Sequence, residues 1–115
     1  MSDCLFCKIA NGEIRTNFLY EDDLVVAFPD INPLTPTHVL VVPKKHHENI
    51  TDNVPAETLA AIAHAVKVVT EQTGIDKTGF RCITNTGDDG GQSVHHLHVH
   101  VLGGRKLDPN AGEGK

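Results

Sequence analysis

One stretch constrains this chain more than any other: Gly90-Gly91-Gln92-Ser93-Val94-His95-His96-Leu97-His98-Val99-His100-Val101-Leu102-Gly103-Gly104. Read as a strand, it places His96, His98 and His100 in one row, about 7 Å apart, and turns Leu97, Val99 and Val101 the other way. The apolar row can anchor the strand in a core while the imidazole row faces a site. Flanking glycines imply close backbone approach before the strand and a turn after it. Imidazole ionises near neutral pH, so three on one face form a surface able to handle protons and bind anions. A solvated, histidine-rich edge strand would carry the same residues without chemistry. The alternation with aliphatics and the Gly-Gly-Gln-Ser approach argue against that reading.

With 115 residues the chain is expected to form one domain with a thin but real core. No apolar run is long enough to span a bilayer, and Met1-Ser2-Asp3-Cys4 lacks the basic start and apolar stretch of a signal peptide. A cytoplasmic protein with no membrane partner is therefore expected. A net charge of -5, one Tyr, four Phe and no Trp argue against a nucleic-acid partner, since no basic groove or set of stacking aromatics is visible. Three cysteines read as thiols or metal ligands rather than a disulfide framework.

Along the chain, Cys4 to Gly12 reads as a short helix with Leu5 and Ile9 on one face and Asn11-Gly12 as the stop. Cys4 and Cys7 share a helical face at a spacing suited to two thiolates on one tetrahedral zinc. Phe18 to Phe28 reads as a hairpin turning at Glu21-Asp22-Asp23, and Pro29 to Pro36 as a rigid loop that cannot continue the sheet. Thr37 to Pro43 is a strand covered on both faces, with His38 at its start. A helix follows, capped by Asp52 or Asn53 with Pro55 in its first turn. Its apolar stripe is Leu59, Ile62, Ala63, Val66 and Val69, its surface residue His64, and its stop Gly74. Phe80 to Thr84 reads as a strand with Cys82 buried. The sum is an α+β fold: antiparallel strands with one main helix between them.

The Gly-rich turn ending in Gly90-Gly91-Gln92-Ser93 offers backbone N–H groups and a hydroxyl to anionic oxygens. Phosphate held beside imidazole suits general acid and base work on a phosphate ester, or direct attack by a histidine nitrogen through a phosphorylated enzyme. His98, flanked by a helper on each side, is the natural nucleophile.

His96-Leu97-His98-Val99-His100-Val101-Leu102 resembles the His-x-His-x-His-x-x motif of histidine triad (HIT) nucleotide hydrolases and transferases. The likeness covers nearly the whole chain. It takes in Asp3-Cys4-Leu5-Phe6-Cys7-Lys8-Ile9, Asp30-Ile31-Asn32-Pro33, Thr37 to His46, Gly90 to Val94 and Leu102-Gly103-Gly104. Ser93 and the Leu-Gly-Gly ending resemble the Hint branch. The resemblance implies a single HIT domain over residues 1–115 with a flexible tail at about 105–115. It further implies an antiparallel five-stranded sheet, one long helix, a short N-terminal helix, and a sheet extended across a homodimer.

The resemblance also implies hydrolysis of nucleoside phosphoramidates or aminoacyl adenylates through a nucleotidyl-histidine, releasing a purine nucleotide such as AMP or GMP. On it, His98 is the nucleophile, His100 binds the phosphate oxygens and His38 completes the polar cluster. Ser93, Asn85 and the backbone of Gly91 and Gln92 hold phosphate and leaving group. Asp30 takes the ribose hydroxyls, and Leu5, Phe6, Ile9, Phe28, Ile31 and Leu40 form the base slot. In zinc-binding relatives two N-terminal cysteines join the histidine of the Lys-Lys-His turn and the first triad histidine, here Cys4, Cys7, His46 and His96. Four protein ligands make that zinc structural, and no catalytic metal is expected. His95 stands where such proteins often carry an aromatic residue, so it reads as structural. Competing readings are a dinucleoside polyphosphate hydrolase, a metal-dependent hydrolase with His38, His98 and His100 as ligands, and a non-catalytic nucleotide-binding regulator.

Overall fold

The structure, a computed structural model, describes residues 4–109. Helix α1 (Leu5–Ala10) precedes strands β1 (Tyr20–Glu21), β2 (Val25–Pro29) and β3 (Thr37–Pro43). The long helix α2 (Ala56–Thr73) then leads to β4 (Phe80–Ile83) and β5 (Val99–Gly103). The strands form one antiparallel five-stranded sheet in the order β1-β2-β3-β5-β4. Among the described residues no helix is long and apolar enough to cross a membrane.

Period-two alternation divides the core into two layers. Val25, Ala27, Val39, Val41, Val99 and Val101 pack against Ile62, Ala65 and Val69 of α2. Val26, Phe28, Leu40 and Val42 turn to the other face, where Phe6, Ile9 and Ala10 of α1 cover them. His98 and His100 alternate with Val99 and Val101, so they share the α1 face with Leu40. The register places Phe28 opposite Leu40, and Leu40 opposite His100, giving a cross-strand row that runs from apolar to imidazole.

The Leu-Gly-Gly ending has a packing cause. A Cβ on Gly103 would come within 2.9 Å of Ile75 Cδ1, while Gly104 has φ +94° and backs onto Pro36.

Several expectations are corrected. Strand β5 begins at Val99, not at His96. The backbone before it is already engaged: Leu97 N–H donates to the His47 carbonyl at 2.7 Å, the His98 carbonyl accepts from Thr84 Oγ1, and the His96 carbonyl accepts from the His98 ring. His96 therefore lies ahead of the strand, with its ring on the same α1 side, edge-on to Phe6 at 6.1 Å between centroids. Pro29 does not stop the sheet but closes β2 opposite Val39, because the two-residue β1 ends short of it and asks it for no N–H. The cap of α2 is Pro55, without a side-chain bond, since Asp52 is spent on the Glu48 N–H and Asn53 adopts φ 50°. On α2, Leu59 and Ala63 are exposed, and Thr58, Ala65 and Thr70 complete the buried face instead. Cys82 is exposed rather than buried, because α2 packs over β1, β2 and β3 and leaves the edge strand β4 uncovered. The tail residues 110–115, like Asp3 at the start of the family likeness, lie outside the described residues. Within 105–109, Arg81 Nη2 holds the Asp108 carbonyl at 2.7 Å.

Candidate active site and metal cluster

A cavity of about 490 Å³ opens between α1 and the sheet. Leu5, Phe6, Ile9, Phe28 and Leu40 make its apolar wall, Asp30 and Ile31 its side, and Ser93, His98 and His100 its polar end. This volume falls in the range of small-molecule sites. Ile31, 91% exposed, stands at the rim.

The hydrogen bonds fix which ring nitrogens carry protons. Leu34 N–H donates to His38 Nδ1 at 3.1 Å, so the His38 proton is on Nε2. That Nε2 donates to His100 Nδ1 at 2.9 Å and faces Asp30 Oδ2 at 3.5 Å. His100 must then carry its own proton on Nε2, as a donor. The His98 ring runs the other way: Nδ1–H donates to the His96 carbonyl at 2.7 Å, leaving a lone pair on Nε2. Phe6 holds this ring edge-on, centroid to centroid 5.0 Å.

Burial keeps these rings neutral. It pushes His100 down to about 4, with help from the neighbouring His98 and His38 and against Asp30. His98 is lowered by burial, opposed by its bond to the His96 carbonyl and by Asp30; His38 is lowered by burial against Asp30. Neutral rings at pH 7 offer one free lone pair, at His98, and one free donor, at His100.

A second cluster lies beside the first. Cys4 Sγ is 3.2 Å from His96 Nδ1, and Cys7 Sγ is 3.3 Å from His46 Nδ1 and 3.4 Å from His96 Nδ1. Zn–S and Zn–N bonds in a tetrahedron would separate sulfur and nitrogen by about 3.6 Å. The outer ring nitrogens are bonded away from the cluster, His96 Nε2 to the Pro43 carbonyl at 2.8 Å and His46 Nε2 to Glu48 Oε2 at 3.0 Å. Both lone pairs therefore face the sulfurs, the arrangement that suits histidines bound to a metal. Burial and then Cys4 push the Cys7 thiol up to about 11, so two adjacent thiolates need a cation between them.

The same test fails for His38, His98 and His100 as a catalytic metal set, and for the compact trio Asp30, His38 and His100. A metal on His38 Nε2 would drive its proton to Nδ1, against the Leu34 N–H. This group is a hydrogen-bond relay.

Asn85, Gly91 and Gln92 do not reach the cavity wall. The N–H groups of Gly91 and Gln92 are consumed within the turn by the carbonyls of Asp88 and Gly87. The buried Gln92 amide ties Gly87, Val94 and Glu48 together, and Asn85 Nδ2 holds the Gly90 carbonyl at 2.7 Å. Among the described residues no backbone carbonyl claims the N–H of Ser93 or Val94, and both residues line the cavity. His95 is exposed, 3.8 Å from Glu48. The sequence reading missed Ile14, Arg15, Thr16, Pro29, Asn32 and Val94 on the wall. It also missed Glu48 behind His46, which the His-Glu spacing in the turn could have shown.

The HIT domain family model matches residues 11–107. The chain belongs to the HIT family. It is 44% identical over 110 residues to a purine nucleoside phosphoramidase of Escherichia coli K12, covering 93% of this chain and 92% of that protein. A HIT family hydrolase from Legionella pneumophila superposes with a TM-score of 0.90 at 43% identity, covering 96% of this chain and all of that one. A histidine triad protein from Clostridium difficile gives 0.84 at 50% identity, covering 97% and 98%. The protein is thus a HIT-family hydrolase.

Proposed function

We propose that this HIT protein hydrolyses purine nucleoside phosphoramidates and related adenylates in two displacements at the α-phosphorus. The observation that carries this reading is the His98 ring, pinned by its Nδ1–H to the His96 carbonyl so that a neutral Nε2 serves the cavity. In the first displacement Nε2 bonds to phosphorus, the P–N bond breaks, and the amine leaves with a proton drawn from solvent, which the attacking water of the second displacement returns. Water then attacks the same phosphorus, the P–Nε2 bond breaks, and nucleoside monophosphate departs with the His98 ring neutral again.

His100 Nε2–H donates to a non-bridging oxygen, where charge grows in both displacements. Ser93, with the N–H groups of Ser93 and Val94, takes over the phosphate contacts that Gly91 and Gln92 cannot supply. Gln92 and Asn85 shape that loop. Asp30 accepts from the ribose hydroxyls, and the apolar wall from Leu5 to Leu40 takes the base. Cys4, Cys7, His46 and His96 would hold a zinc whose four protein ligands leave no open position, so its chemistry is structural. It would tie α1 to the backbone that orients His98. The open edge of β4, with Phe80 and Cys82 exposed, suits extension of the sheet by a second copy. Reduced thiols at such a site fit a cytoplasmic location.

Turnover measured across adenosine 5′-phosphoramidate, an aminoacyl adenylate and a dinucleoside polyphosphate tests the reading. Fastest release of AMP from the first two supports it; fastest cleavage of the polyphosphate, or binding with no turnover, overturns it.

A further inference from the structure

The cavity has two ends. Its imidazole end lies on β5, and its apolar end lies two strands away at Phe28 of β2, about 10 Å across the sheet. The chain leaving α1 passes the apolar end: Phe18 packs its ring on Phe28, centroids 6.4 Å apart. Three residues earlier, Arg15 lines the cavity. Its guanidinium has no ion pair or side-chain hydrogen bond among the described residues, and it is the one Lys or Arg side chain on the wall, beside the apolar surface of Leu, Ile and Phe.

An apolar slot discriminates poorly between two purines of the same shape. A guanidinium at its end does not. Guanine and inosine's hypoxanthine present two adjacent acceptors, O6 and N7, which match two N–H groups of arginine. Adenine presents N7 beside the N6 amino group, a donor that would face another donor. We infer that Arg15 reads the O6/N7 edge of the base and makes this protein prefer guanine and hypoxanthine nucleotides over adenine nucleotides. This rests on the nucleotide reading given above and adds the base.

Because Arg15 is exposed at the cavity mouth, the discrimination sits at the low end for a bidentate base contact, about fivefold to tenfold in kcat/KM. The test compares the 5′-phosphoramidates of guanosine, inosine and adenosine in wild type and Arg15→Ala, with GMP, IMP and AMP binding measured by calorimetry in parallel. Arg15 is supported if guanosine and inosine substrates both lead adenosine by that factor and the lead shrinks to within about twofold in Arg15→Ala. It is overturned if wild type shows no lead, if the lead survives in the variant, or if inosine follows adenosine, which would place recognition at the 2-amino group. If no phosphoramidate is turned over, the phosphoramidase reading fails by itself, and the GMP-to-AMP affinity ratio in the two proteins still decides Arg15.

Discussion

Replacing His38 separates the stability of the relay from its catalytic effect. The ring is buried and holds two partners, accepting from Leu34 N–H and donating to His100 Nδ1. His38→Leu orphans both. At about 1–3 kcal/mol for each buried unsatisfied group, partly offset by the apolar side chain, the fold loses about 2–4 kcal/mol. It also frees His100 to move its proton to Nδ1, which removes the donor from the phosphate side and lowers kcat about 100-fold. His38→Gln places an amide donor where Nε2 was, so His100 keeps its tautomer and only the Leu34 N–H is left unpaired. That variant should lose about 1–2 kcal/mol and keep kcat within about tenfold of wild type. Urea unfolding and initial rates on adenosine 5′-phosphoramidate give both quantities, and the ¹⁵N shifts of His100 report its tautomer. Equal rates in the Leu and Gln variants would refute the relay.

The remaining predictions concern metal, pH and packing. Wild type should carry about one zinc per chain and Cys7→Ser far less, with a lowered Tm and a smaller fall in kcat; full activity and stability in metal-free protein would remove the zinc from the account. The folded pKa of His100 is depressed to about 4 from 6.5, so above pH 6.5 neither state is protonated and stability is whole. As pH falls from 6.5 towards 4 only the unfolded chain gains the proton, and about 3 kcal/mol is lost. His100→Asn should lack that part of the decline, and an unchanged decline would show that another group causes it. Gly103→Ala must displace Ile75 and should cost about 1–3 kcal/mol in urea unfolding, against almost nothing if β5 can shift freely.

The sequence was legible where periodicity and residue chemistry agreed. Alternation separated Val99 and Val101 from His98 and His100, the unbroken apolar run Val39 to Val42 marked a strand covered on both faces, and Gly74 ends α2 in the left-handed conformation expected of a helix stop. Cys4, Cys7, His46 and His96 converge as the family likeness implied, although they are dispersed over 93 residues of chain. What could not be read depended on partners far away in sequence. Nothing near His96 announces that the Pro43 carbonyl would claim its outer ring nitrogen, or that the His47 carbonyl would take the Leu97 N–H ahead of β5. The Gly91 and Gln92 N–H groups looked free because a turn's internal bonds are not written in composition. Arg15 carried no local signal, since only the fold brings the segment after α1 beside Phe28. Cys82 looked buried because its strand was recognised but its edge position was not.

In the two-displacement mechanism His98 Nε2 becomes bonded to the nucleotide phosphorus. Rapid acid-free quenching of wild type with a slow phosphoramidate, followed by peptide mass spectrometry under neutral conditions, tests it directly. A nucleoside monophosphate adduct is expected on the peptide bearing His98, absent in His98→Ala and lost on standing in water. Turnover at the wild-type rate by His98→Ala, or an adduct located on His100 or Ser93, would contradict it.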